Sequence, residues 1–274
     1  MRRRRPSTSW FALPAPPPAT LTLGGTTRRL ARVFKHDFWA ATALYEADGP
    51  PADPVVVKFY RTQPFCGLPL GWLGRFCREH ERAVYAALAG VPGVPRCLGP
   101  VGDAALAVAY VRAVPLDHLE AAPPGWFDDM RRALDAVHAR GVAYVDANKR
   151  SNMLVDPEGR AYLIDFQIAL RRRDDWPRPL RWLSARLVAY FRGRDLYHLY
   201  KHKRRLARGE LTEAEARLSR RRGPGHELFR RLSRLYRAVR RPFLTRRWRA
   251  GRLVSPTADL EDHHQPEKAT WRKP

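Results

Sequence analysis

Within nine residues, Tyr144-Val145-Asp146-Ala147-Asn148-Lys149-Arg150-Ser151-Asn152, the chain gathers a carboxylate, a lysine and an asparagine amide. Thirteen residues after Asn152 a second carboxylate, Asp165, follows in Leu163-Ile164-Asp165-Phe166. Carboxylate and amide oxygens are hard ligands suited to magnesium. A carboxylate can also take a proton from a hydroxyl while a nearby lysine neutralises negative charge. Far upstream, Lys58 ends the apolar run Val55-Val56-Val57, a second cation carried on a strand. Between the two groups, Glu81 has Val84, Tyr85 and Leu88 at +3, +4 and +7, which places its carboxylate on the packed face of a helix.

The elements that must carry these residues are legible in the pattern. Residues 1 to about 26 are rich in arginine and proline and read as a flexible leader. Leu30–Phe34, Ala40–Tyr45 and Val55–Tyr60 read as antiparallel strands, and Leu98–Val101 with Ala105–Val111 as a hairpin completing a five-stranded sheet. Phe76–Leu88 and Phe127–Arg140 have helical spacing, the second closed by Gly141. Short strands at Val142–Val145, Met153–Val155 and Ala161–Ile164 surround the chemical loop. Helices follow at Leu180–Phe191, with Leu183, Leu187 and Phe191 in register, at Thr212–Arg221 and at Glu227–Arg240. The expected class is α+β with two lobes: a small antiparallel-sheet lobe over 27–111 and a mainly helical lobe over 112–251, then an unstructured tail over 252–274.

In order and type, this set resembles the protein-kinase-like superfamily, with its strand lysine, helical glutamate, catalytic loop and Asp-Phe-Gly. The resemblance covers roughly residues 27 to 200. It implies ATP and Mg2+ as cofactors and transfer of a phosphoryl group to a hydroxyl. Lys58 would contact the phosphates and Glu81 would hold that lysine extended. Asn152 and Asp165 would bind the metal, Asp146 would receive the acceptor's proton, and Lys149 would neutralise the moving phosphoryl group. Tyr110 and Val111 fall at the hinge, where the nucleotide base would lie.

Departures narrow the resemblance. No GxGxxG precedes Lys58; the strand turn there is Lys35-His36-Asp37-Phe38-Trp39, so Lys35 or the turn's own N–H groups would hold the phosphates. Gly24-Gly25 lies too far upstream to replace the glycine loop. Tyr144-Val145-Asp146 stands for His-Arg-Asp, Gln167 stands for the last glycine of Asp-Phe-Gly, and no Ala-Pro-Glu follows. The pattern is similar to bacterial lipopolysaccharide (Kdo/heptose) kinases and to RIO-type atypical serine/threonine kinases. The basic run from Asp195 to Arg205 resembles a segment common in the first group. That resemblance implies a lipopolysaccharide core sugar as acceptor; a RIO-like protein kinase and a pseudokinase scaffold are the alternatives.

The charge is unevenly placed. Of the net +24, residues 171–250 hold 26 basic and 7 acidic side chains, a net of +19, leaving +5 elsewhere. Such a region suits an anionic glycolipid or membrane surface, with an arginine-rich solvated face as the plain alternative. Nucleic acid is set aside as a partner, because the aromatic residues among these charges fall mostly where helices would bury them. Three cysteines without CxxC spacing indicate neither a disulfide framework nor zinc. No apolar run is long enough to span a bilayer, and the basic N-terminus lacks the apolar core of an export signal. The expected location is the cytoplasm, peripheral on the inner membrane.

Overall fold

The structure, a computed structural model, describes residues 8–47, 49, 53–220, 238, 242–247, 249–250 and 253–261. Its contacts fall into two units: Met1–Arg78 with Leu98–Tyr110 and Arg222–Pro274, and Glu79–Cys97 with Val111–Arg221. The class is α+β as expected, with an antiparallel sheet in the first unit and mainly helices in the second. The expected helix at Glu227–Arg240, apart from residue 238, and the tail beyond 261 lie outside the described residues.

The sheet unit has six strands where five were expected: β1 Thr20–Leu23, β2 Thr26–His36, β3 Ala40–Ala47, β4 Val55–Tyr60, β5 Cys97–Val101 and β6 Ala105–Ala109. Their order is β1-β2-β3-β4-β6-β5. The additional strand comes from the supposed leader. Gly24 and Gly25 take φ of +58° and +79°, as a tight hairpin demands, and pair Thr20 with Arg29 through Leu23 with Thr26. Alternation along the strands buries Val33, Ala43, Tyr45, Val55, Val57, Ala105 and Ala107 together, with Leu21 and Leu23 packed against them. Val56 and Lys58 therefore occupy the other face.

Residues 8–19 are also fixed. Arg61, 1% exposed, donates to the carbonyls of Ser9, Phe11, Phe38 and Pro64. A buried guanidinium needs several acceptors, and a proline-rich segment offers carbonyls not committed to a helix or sheet. The Ala12 N–H donates to the Asp37 carbonyl at 2.7 Å. A stretch of the expected tail, 253–261, is likewise ordered. Leu253, Thr257 and Glu261 are buried, and the Val33 N–H donates to the Leu260 carbonyl at 3.4 Å. His36 joins both segments: the Leu13 N–H donates to its Nε2 at 3.1 Å, so its Nδ1–H donates to Thr257 Oγ1, also at 3.1 Å.

Helix α1, Gly71–Ala87, begins five residues before the expected Phe76. A Cβ at Gly74 would come 2.0 Å from the Arg61 carbonyl oxygen, so only glycine permits this approach. Its residues divide between the units after Arg78.

The helical unit contains β7 Val114–Pro115, α2 Trp126–Ala139, β8 Val142–Ala143, β9 Met153–Val155, β10 Ala161–Leu163, β11 Leu170–Arg171, α3 Arg178–Leu206 and α4 Glu213–Arg220. Strands β10, β9 and β7 form one small sheet, and β8 pairs with β11. Helix α2 buries Trp126, Phe127, Met130, Leu134 and Val137, and Gly141 closes it with φ of +76°. Helix α3 corrects the expectation for the tail. It runs on to Leu206, and Leu183 and Leu187 are 46% and 44% exposed instead of facing the core. Ser184, Val188, Asp195, His198, Leu199, Tyr200, His202 and Lys203 form its buried side.

Candidate active site

In the sheet unit, Lys58 lies across from Thr42 on β3 and Leu106 on β6, with its ammonium 5.5 Å from the Tyr60 ring centroid. The turn from β2 to β3 departs from the arrangement expected of it. Asp37 Oδ1 accepts the N–H groups of Trp39 at 2.8 Å and Ala40 at 3.0 Å, and Oδ2 pairs with Lys35 Nζ at 2.6 Å. Desolvation opposes ionisation here, but the Lys35 ammonium and the two N–H groups prevail and hold the Asp37 carboxyl below its usual range. Both kinds of donor expected to meet phosphate thus already hold a carboxylate of the chain. The Tyr110 ring stacks on Phe34 with centroids 6.4 Å apart, while its N–H donates to the Pro54 carbonyl at 3.2 Å. Tyr110 therefore presents a ring more readily than a backbone donor.

The helical unit brings together Asp146, Lys149 and Asn152. Asp146 Oδ2 accepts from Lys149 Nζ at 2.7 Å and from Asn152 Nδ2 at 2.9 Å. With its NH2 donated to Asp146, Asn152 offers its amide oxygen as a ligand. The Ile164 N–H donates to the Asn152 backbone carbonyl at 3.1 Å, which sets the end of β10, and hence Asp165, beside this loop. Asp165 takes φ of +62°. Asn152 and Asp165 supply hard oxygens and no soft atom, a donor set fitted to Mg2+. Among the described residues no group of three or more His, Cys, Asp or Glu gathers into a cage of its own. Magnesium needs none, since it is commonly held by one or two carboxylates together with substrate phosphates.

Behind the loop, Tyr144 and Tyr85 each lie 5.2 Å from the Phe166 ring, edge to face. The Tyr144 hydroxyl donates to the Ile164 carbonyl, so the residue standing for the expected histidine joins the loop to the strand bearing Asp165. Glu81, 1% exposed, accepts the Phe166 N–H on Oε1 at 3.1 Å. Glu81 and Val111 belong to the helical unit, and Lys58, Lys35 and Tyr110 to the sheet unit.

Sequence reasoning missed what holds the loop. Asp195, fully buried on α3, accepts the N–H groups of Tyr144 and Val145 at 2.8 Å each, and His138 Nε2 at 3.1 Å. Burial pushes the Asp195 carboxyl above its usual pKa, opposed by the His138 and backbone hydrogen bonds. Val145 has φ of +70°, an unfavourable value for a β-branched residue, so the two N–H groups need a rigid acceptor. His202 Nε2–H donates to the Ala147 carbonyl at 3.1 Å, and Lys201 Nζ to Asn148 Oδ1 at 3.0 Å. Within the basic region, Asp195, Lys201 and His202 thus form a clamp on the loop. One signal could have found it: Asp195 is the sole acid between 176 and 209.

No protein-family profile matches the chain, and no curated protein matches its sequence. Among solved structures, it is similar to the Rio2 kinase from Chaetomium thermophilum at 16% identity and a TM-score of 0.49, over 72% of this chain and 60% of that one. It is also similar to the ADP/Mg2+-phosphoaspartate complex of that kinase, at 16% identity and a TM-score of 0.47, over 72% and 59%. The chain thus spans about three-fifths of the length of the kinases it matches.

Proposed function

We propose that the chain is a protein-kinase-like phosphotransferase that moves the γ-phosphoryl group of ATP to a hydroxyl with Mg2+ bound. The observation that carries this reading is the loop triad, in which one carboxylate is bonded to both a lysine and the asparagine that offers an oxygen to the metal. Asn152 and Asp165 would hold the metal, which neutralises phosphate charge when bound. Lys58 would contact the phosphates, and Tyr110 would border the base. Asp146 accepts the hydroxyl proton as the acceptor oxygen bonds to the γ-phosphorus and the bond to the bridging oxygen breaks, releasing ADP. Lys149 stays beside the charge that develops.

A seryl or threonyl hydroxyl is the first acceptor class, making this an atypical, RIO-like protein kinase. A sugar hydroxyl on a lipopolysaccharide is the second, favoured by the net positive charge of the 171–250 region, which would meet an anionic glycolipid or membrane. The protein would work in the cytoplasm, peripheral on that membrane. The test incubates it with labelled ATP and Mg2+ together with soluble protein or extracted glycolipid. Label in either fraction, lost in Asp146→Ala, supports the reading; equal labelling by that variant overturns it. The fraction that takes label decides between the acceptors.

A further inference from the structure

The exposed half of α3 has the chemistry of a lipid-facing surface. Leu180, Leu183, Leu187 and Tyr190 recur at helical spacing and are 44–47% exposed. Ser184 and Val188 form the buried side of the same turns. Trp176 and Trp182 are exposed as well, at 40% and 61%. Around them positive charge prevails: residues 171–194 contain eight arginines against two aspartates, Asp174 and Asp175, which pair with Arg172 and Arg173. Arg173 lies over the Trp176 ring at 4.9 Å and Arg186 over the Trp182 ring at 4.8 Å.

We infer that residues 176–194 dock on an anionic lipid bilayer, with α3 lying in the plane of the interface. This deepens the proposal that the basic region meets an anionic membrane surface, and it rests on that reading. Aliphatic side chains entering the acyl boundary, tryptophan and tyrosine at headgroup level and arginines toward lipid phosphates form the known pattern of an interfacial helix. The leucines exclude the competing polyanion, because a nucleic acid would use the arginines and aromatic rings but gain nothing from an aliphatic row. No helix among the described residues is long and apolar enough to cross a membrane. A second half of α3 devoted to the Asp195 clamp fixes the exposed half to a rigid body, so docking does not require the helix to form anew.

The test uses the full chain and sedimentation with vesicles of phosphatidylcholine alone or with 30% phosphatidylglycerol, without nucleotide. Binding should be at least about tenfold tighter to the anionic vesicles, since arginines near a negatively charged surface are attracted to it. The exposed pair Leu183→Ser/Leu187→Ser should lose about tenfold while keeping the thermal midpoint. Arg181→Gln/Arg186→Gln should lose binding to anionic vesicles and reduce its salt dependence. Wild-type binding unaltered by the leucine pair overturns this face but spares the membrane reading; no wild-type binding overturns both. Leucine-dependent dimerisation, or RNA binding that displaces vesicles, would assign the face to a second copy or to nucleic acid and overturn the inference.

Discussion

Asp195 and Val145 are 50 residues apart in sequence, yet the Asp195 carboxylate accepts the Val145 N–H at 2.8 Å and so holds that residue at φ +70° beside Asp146. The same carboxylate bonds the Tyr144 N–H, which fixes two consecutive peptides of the loop. Asp195→Asn turns an NH2 toward one of those two N–H donors. We expect a loss of roughly 2–4 kcal/mol in urea unfolding and a fall in kcat of about tenfold or more, with a smaller change in KM. Unchanged kcat in a folded variant would show that the loop keeps its geometry without this acceptor.

Asp146 and Asp165 should separate by assay. Asp146→Asn removes the proposed proton acceptor but leaves the proposed metal ligands, so Mg2+-dependent nucleotide binding should persist while turnover falls about a hundredfold or more. Asp165→Asn removes a charged ligand and should weaken Mg2+-nucleotide binding itself. Calorimetry with ADP, with and without Mg2+, reads the binding, and transfer from labelled ATP reads the turnover.

The turn carboxylate suggests a variant with a gain. Asp37 occupies the N–H groups of Trp39 and Ala40 and the Lys35 ammonium, all of them donors that a phosphate would seek. Asp37→Asn removes a negative charge from that place, and ATP binding should tighten about fivefold at low salt and less at high salt. Weaker binding would mean that Asp37 supports nucleotide by holding the turn.

His202 makes stability depend on pH. Burial, followed by the Lys201 charge, pushes its imidazole down to about 4. In the unfolded chain it protonates near 6.5, so the unfolded state binds the extra proton first. The contribution of His202 is complete above pH 6.5 and is lost as the pH falls toward 4. The variant His202→Asn should flatten that part of a urea-midpoint profile.

The sheet interior, α2 and the polar loop could be read directly because their periodicity and glycines report local requirements. Val55 and Val57 alternate with Lys58 in any strand, and Gly141 ends α2 wherever that helix packs. Other features depend on distant partners. Residues 8–19 looked like a leader because proline-rich sequence carries no sign that a buried Arg61 will take its carbonyls. Gly24-Gly25 lay outside any phosphate loop, but its role as the turn of an additional strand needed β2 as a partner.

By itself the sequence determined which residue types stand at the chemical positions and in what order: Lys58, Glu81, Asp146, Lys149, Asn152 and Asp165. It also determined how much charge the 171–250 region carries. Tertiary structure decided how that region is divided. Asp195, Lys201 and His202 of α3 hold the loop, while Leu183 and Leu187 face outward. A helical repeat identifies a stripe of leucines but not which side meets the core. That choice depended on where Tyr144 and Val145 needed a buried carboxylate.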